Sequence, residues 1–143
     1  MQTQQLRDAY KTASTSEKEA LGFMELTQHI DSSAVHQAYL GAAFALKAKF
    51  GKNKIQNLRE AKTQIEKAVE RKPQNIEIRM IRLSVQESLP AIAGYGKAIK
   101  QDRVFIAANL SKVENEGLKK YLQGFIANSK SFSSEEKSLL LQL

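Results

Sequence analysis

The chain has 143 residues, 42% of them hydrophobic and 26% charged, which is enough apolar material for one packed domain and too much for a disordered chain. The formal net charge of +7 favours acidic partners, while the absence of tryptophan and the mixing of lysine with glutamate argue against a nucleic-acid interface. There is no cysteine, hence no disulfide, thiolate metal site or cysteine nucleophile, and no apolar run nears the ~20 residues of a membrane helix.

Only two prolines and seven glycines interrupt a sequence rich in strong helix formers, so an all-α chain is expected. "QQLRDAYKTA" sets Leu6, Tyr10 and Ala13 at helical spacing for a first short helix. In "STSEKEALGFMELTQHI", Ser14 with Glu17, or Ser16 with Glu19, forms a capping box that starts a second helix. "HIDSS" ends it and caps a third, in which Val35, Tyr39, Ala42 and Leu46 make one stripe. "GKNK" is a basic turn, with Asn53 as a cap, and the cluster Lys47, Lys49, Lys52 and Lys54 reads either as a solvated loop or as an anion-attracting patch. The fourth helix lines up Ile55, Leu58, Ala61, Ile65 and Ala68, and Lys72-Pro73 stops it.

The segment "PQNIEIRMIRLSVQESLP" alternates like a strand for five residues, from Ile76 to Met80, and then loses the alternation at Ile81. At about 100° per residue it resolves into a helix with two apolar faces. Ile76, Met80 and Leu83 share one face; Ile78, Ile81 and Val85 share the other. Glu77, Ser84 and Ser88 form one polar stripe between them, and Arg79, Arg82 and Gln86 form the second. A helix apolar on two sides must lie between neighbours. Beyond it, Pro90, Gly94 and Gly96 break the chain, and helical patterns resume around Ile99–Leu110 and Leu118–Ile126. Ser133 with Glu136 caps a short closing helix, "EEKSLLLQL". About seven helices with short connections predict one domain over residues 1–143, built as stacked antiparallel helical hairpins.

The spacing Ala61, Ile65, Ala68, Pro73, with Leu40, Gly41 and Phe44 upstream, resembles the tetratricopeptide repeat, a helical hairpin whose second helix carries small, large and small residues before a proline. The resemblance covers roughly residues 35–75. The segment from Gly41 to Ala61 is longer than the repeat allows, so "KAKFGKNKIQN" must bulge, and no tryptophan precedes the aromatic region. The whole chain is also similar to bacterial helical-repeat proteins that have no assigned task, many of which carry export signals. Membership of this type implies an α–α superhelix, protein or peptide binding, and no catalysis or cofactor.

Two readings of the Arg79, Arg82 and Gln86 stripe stand at this point. In one, it faces a groove and presents guanidinium forks and an amide to an acidic peptide or a terminal carboxylate. In the other, it joins an internal network with Asp102 or Glu87, near Glu77 and Tyr95. His29 and His36 fall on either side of the "DSS" break and are read as surface or cap-adjacent, so no metal site is expected. "GYGKAI" lacks the strand that a phosphate loop needs and reads as a turn. The expectation is a non-catalytic protein- or peptide-interaction module, the alternative a small structural or ligand-carrying helical domain. The apolar closing helix offers a surface for a homodimer. "QTQQ" after Met1 fits both the remnant of a removed export signal with a start methionine added and a natural cytoplasmic N-terminus, and the export signals of the similar helical-repeat proteins imply the exported, periplasmic location.

Overall fold

A computed structural model describes residues 2–143. Among them are eight α-helices and no strand: α1 (Gln2–Tyr10), α2 (Glu17–Thr27), α3 (Ala34–Phe50), α4 (Lys54–Arg71), α5 (Ile76–Ser88), α6 (Ile99–Asn109), α7 (Glu116–Asn128) and α8 (Ser134–Leu140). The all-α class and the helical hairpins are as expected. The chain divides into two compact units, residues 1–73 and 74–143.

In the first unit, α3 and α4 form the dominant hairpin. α4 buries Ala61, Ile65 and Ala68, one residue per turn of a single face. α3 meets it with Gly41. A Cβ built at Gly41 would lie 2.5 Å from Ile65 Cγ1 and 3.0 Å from the Ala61 carbonyl oxygen, so the two backbones approach as closely as side chains permit. Around this seam Ala38, Ala42 and Ala45 are also buried. Ile55, assigned to the same face by spacing, is instead exposed in the first turn of α4. Packing on the other side of α3 is aromatic. Tyr10 of α1, Phe23 of α2 and Tyr39 of α3 form a cluster with ring centroids 5.1 to 6.1 Å apart.

Helix ends follow the sequence signals closely, with two differences. Ser16 accepts from the Glu19 N–H, but the Glu19 carboxylate accepts the Thr12 hydroxyl at 3.1 Å, so the second half of the box is missing. Asn53 occupies the position before α4 in a left-handed conformation (φ 58°, ψ 48°), and its side chain makes no cap bond. Left-handed backbone is tolerated by asparagine better than by most residues. Ser33, Asn75, Asn115 and Ser133 cap α3, α5, α7 and α8. At Ser133 the reciprocal box is complete.

The second unit is organised about α5. Ile78, Met80, Ile81, Leu83 and Val85 are all buried, so both apolar faces of this helix are covered. α6 and α7 pack on α5, and α8 packs on α7. A short 3₁₀ turn (Ala91–Ala93) leads out of α5 and ends at Gly94, whose φ of +71° suits glycine. "GYGKAI" is thus a turn. No helix among the described residues is long and apolar enough to cross a membrane.

Candidate functional site

The i, i+3, i+7 spacing on α5 brings Arg79, Arg82 and Gln86 to one side, and α6 places Asp102 opposite them in its first turn. Asp102 is fully buried, and the three side chains facing it come from residues 7%, 5% and 2% exposed, respectively. Arg82 grips the carboxylate with both arms of its guanidinium: Nε donates to Oδ2 at 2.9 Å and Nη2 donates to Oδ1 at 2.7 Å. This bidentate form is the strongest geometry for an arginine–carboxylate pair. Arg79 Nη1 donates to Oδ1 at 3.3 Å, and its guanidinium lies 4.5 Å from the centre of the Phe105 ring, one turn further along α6. Gln86 Nε2 donates to Oδ2 at 3.0 Å, while its Oε1 accepts the Ala98 N–H at 3.0 Å. The Gln86 amide therefore joins the carboxylate to the start of α6, which has no side-chain cap of its own.

This arrangement turns the stripe inward. A groove that captures a carboxylate needs accessible forks, and here the forks close on Asp102. Two acids, Asp102 and Glu87, stand as internal partners in the sequence. The arginines take Asp102, and Glu87 Oε2 accepts the hydroxyls of Ser129 and Ser131, tying the end of α5 to the loop after α7. Glu77 is buried on the other polar stripe of α5, and Tyr95 is half-buried in the turn between α5 and α6. Chemically, a carboxylate with four donors on its two oxygens, sealed from water, fixes the relation of two helices; burial without those partners costs several kcal/mol per ion.

His36 is cap-adjacent, its backbone N–H donating to the Ser33 hydroxyl at 3.3 Å, and it is not on the surface. It is 3% exposed, with Nε2 2.8 Å from the Thr3 hydroxyl. Nδ1 stands 2.8 Å from Asp31 Oδ1, an ion-pair distance without hydrogen-bond alignment. The Ser33 N–H, which donates to Asp31, is the main reason that carboxyl is held below its usual range. Ring and carboxylate thus join the α2–α3 loop to the first turn of α1. The available signal was Asp31 two residues before a cap and a histidine three residues after it. His29 is exposed beside Glu25. Among the described residues no group of three or more His, Cys, Asp or Glu is placed to hold a metal ion.

The first unit holds an open pocket of about 340 Å³ where α2, the end of α3 and the turn into α4 meet. Leu21, Met24 and Phe50 supply apolar walls, and Lys47, Lys52 and Glu17 supply charge. The neighbouring lysines behave differently from one another. Lys49 Nζ donates to the Ser14 carbonyl at 3.0 Å and lies over the Phe50 ring. Lys47 lies over the Phe44 ring. Lys52 is exposed in the turn and Lys54 is exposed at the start of α4.

No family model, no curated protein and no solved structure matches the chain. The functional reading therefore rests on these residues.

Proposed function

We propose that the chain is a non-catalytic interaction module of the helical-repeat type, which takes an acidic protein or peptide as its partner. In this reading the Arg79, Arg82 and Gln86 stripe is a brace inside the module, and the binding charge lies elsewhere, at the end of α3, in the turn after it and at the start of α4. The observation that carries the reading is this division of the cations. The guanidiniums of Arg79 and Arg82 are closed on buried Asp102, whereas residues 32–59 hold Lys47, Lys49, Lys52, Lys54 and Arg59 and no Asp or Glu at all. Much of α3 in this segment is buried, so its charge reaches the surface mainly around the turn, where an excess of one sign steers and selects partners of the other. The resemblance of residues 35–75 to a tetratricopeptide hairpin agrees with a binding role.

Affinity capture with the immobilised chain from a lysate of its source tests the proposal. Captured proteins should be acidic and should elute as salt is raised, because exposed charge pairs are screened within about 10 Å at 0.1 M salt. Capture of nothing beyond what a lysine-matched unrelated helical protein retains would remove the reading.

A further inference from the structure

We infer that the pocket beside the α3–α4 turn docks an acidic peptide segment that inserts one apolar side chain among Leu21, Met24 and Phe50 and sets its carboxylates against Lys47 and Lys52. The inference rests on the interaction-module reading and gives it a place and a chemistry.

Three features support this occupant. First, the apolar walls are partly uncovered. α2 buries Ala20, Phe23 and Met24 on its inner side, yet Leu21, on its outer side, is 57% exposed where it lines the pocket. Second, the size is right for a side chain. At about 340 Å³ the pocket is near the lower end of ligand sites, roughly 300–1,000 Å³, which suits a peptide residue better than a bulky cofactor. Third, the rim is charge-asymmetric. Lys47 and Lys52 stand on the α3 and turn side, and the lone acid of the lining, Glu17, stands on α2. A peptide with acids flanking one apolar residue meets both parts of the site. A polyanion without apolar groups would leave Leu21 and the half-buried Phe50 uncovered, and a neutral apolar ligand would leave the lysines unmatched.

Glu17 gives the site a direction. It repels the acidic flank on the α2 side, so the carboxylates of the peptide lie along Lys47 and Lys52.

The test uses the intact chain and three synthetic peptides, with binding read by fluorescence anisotropy. The first peptide carries Asp and Glu around a central Phe; the second has Ala in place of that Phe; the third has Asn and Gln in place of the acids. The first should bind and the other two should bind at least about tenfold more weakly, a tenfold change being about 1.4 kcal/mol. Leu21→Ser should weaken the first peptide by about tenfold, within the contribution of one covered apolar side chain. The Lys47→Gln/Lys52→Gln pair should remove most of the salt dependence, and Glu17→Gln should tighten binding. Each variant is checked for an unchanged thermal transition, which the exposure of Leu21 and Lys52 leads one to expect. Equal binding of the Ala peptide, equal binding of a single-stranded oligonucleotide, or indifference to both Leu21→Ser and the lysine pair overturns the inference. Lysate capture separates the two levels. Capture that persists in the pocket variants sinks the pocket but keeps the module; a wild-type chain that captures nothing sinks both.

Discussion

The α3–α4 pair and the α5–α6 pair solve the same problem, holding two helices together, by opposite means. At α3–α4 the side chains are removed: Gly41 lets the backbone of one helix reach Ala61 and Ile65 of the other. At α5–α6 the gap is filled with charge: Arg79, Arg82 and Gln86 meet Asp102 in a sealed network. The first seam tolerates no added volume. The second tolerates no missing partner. The two cationic groups differ in the same way: Arg79 and Arg82 close on Asp102 inside the α5–α6 seam, whereas Lys52 at the end of the α3–α4 hairpin is exposed.

Asp102→Ala should produce the largest effect, because it leaves two buried guanidiniums without their carboxylate. Loss of one partner of a buried pair costs roughly 3–5 kcal/mol, readable as a lowered midpoint in urea unfolding. A cost below that of an ordinary surface substitution would mean that the network opens to water and the contrast between the seams is false. Gly41→Ala comes next. The new methyl meets Ile65 Cγ1 and the Ala61 carbonyl, and overpacking of this kind costs about 1–3 kcal/mol. Combining it with Ile65→Ala should reduce the penalty of the added methyl. Strict additivity of the two changes would show that the seam is looser than the distances indicate.

Smaller effects come from the end of the chain, where neither seam is involved. Ser133→Ala removes one half of the capping box of α8 and should cost about 1 kcal/mol. Its partner Glu136 is held below the usual carboxylate value of 4.5, chiefly by the Ser133 N–H and also by the charge of Arg103, whose Nη1 donates to Oε2 at 2.7 Å. A carboxyl whose folded value is depressed stabilises the fold above its ordinary value, and that contribution is lost as pH falls through the depressed one. Wild-type stability should therefore decline as pH drops below about 4.5, and Glu136→Gln should flatten part of that decline. Parallel wild-type and Glu136→Gln acid titrations of the unfolding midpoint check this; identical slopes would contradict it.

Local signals carried much of this structure. The double apolar face of α5, the stop at Lys72-Pro73, the Ser133–Glu136 box and the glycine turn after Pro90 all depend on residues within a turn or two of one another, so spacing alone expresses them. The same spacing put Arg79, Arg82 and Gln86 on one stripe. What spacing could not express was the choice between Asp102 and Glu87, 20 and 5 residues from Arg82, because that choice depends on how α6 and the loop after α7 dock on α5. The burial of His36 was hidden for the same reason: its ring is covered by α1, which lies 33 residues away at Thr3. Asn53 makes no side-chain cap bond: residue type expresses a preference for that position, but not the left-handed backbone found there in place of the extended one a capping residue adopts. Of the pocket, only the lysines were legible, as an anion-attracting patch; its apolar walls were not, since Leu21 and Phe50 come together only when α2 packs against the end of α3.

The central claim is that Arg82 and Asp102 act as one buried unit. A double-mutant cycle on urea unfolding with Arg82→Met, Asp102→Leu and the combined variant measures it directly. The account predicts that the combined variant is more stable than the sum of the two single losses implies, by at least about 1 kcal/mol of coupling. Additivity within about 0.5 kcal/mol, the behaviour of independent sites, would contradict it.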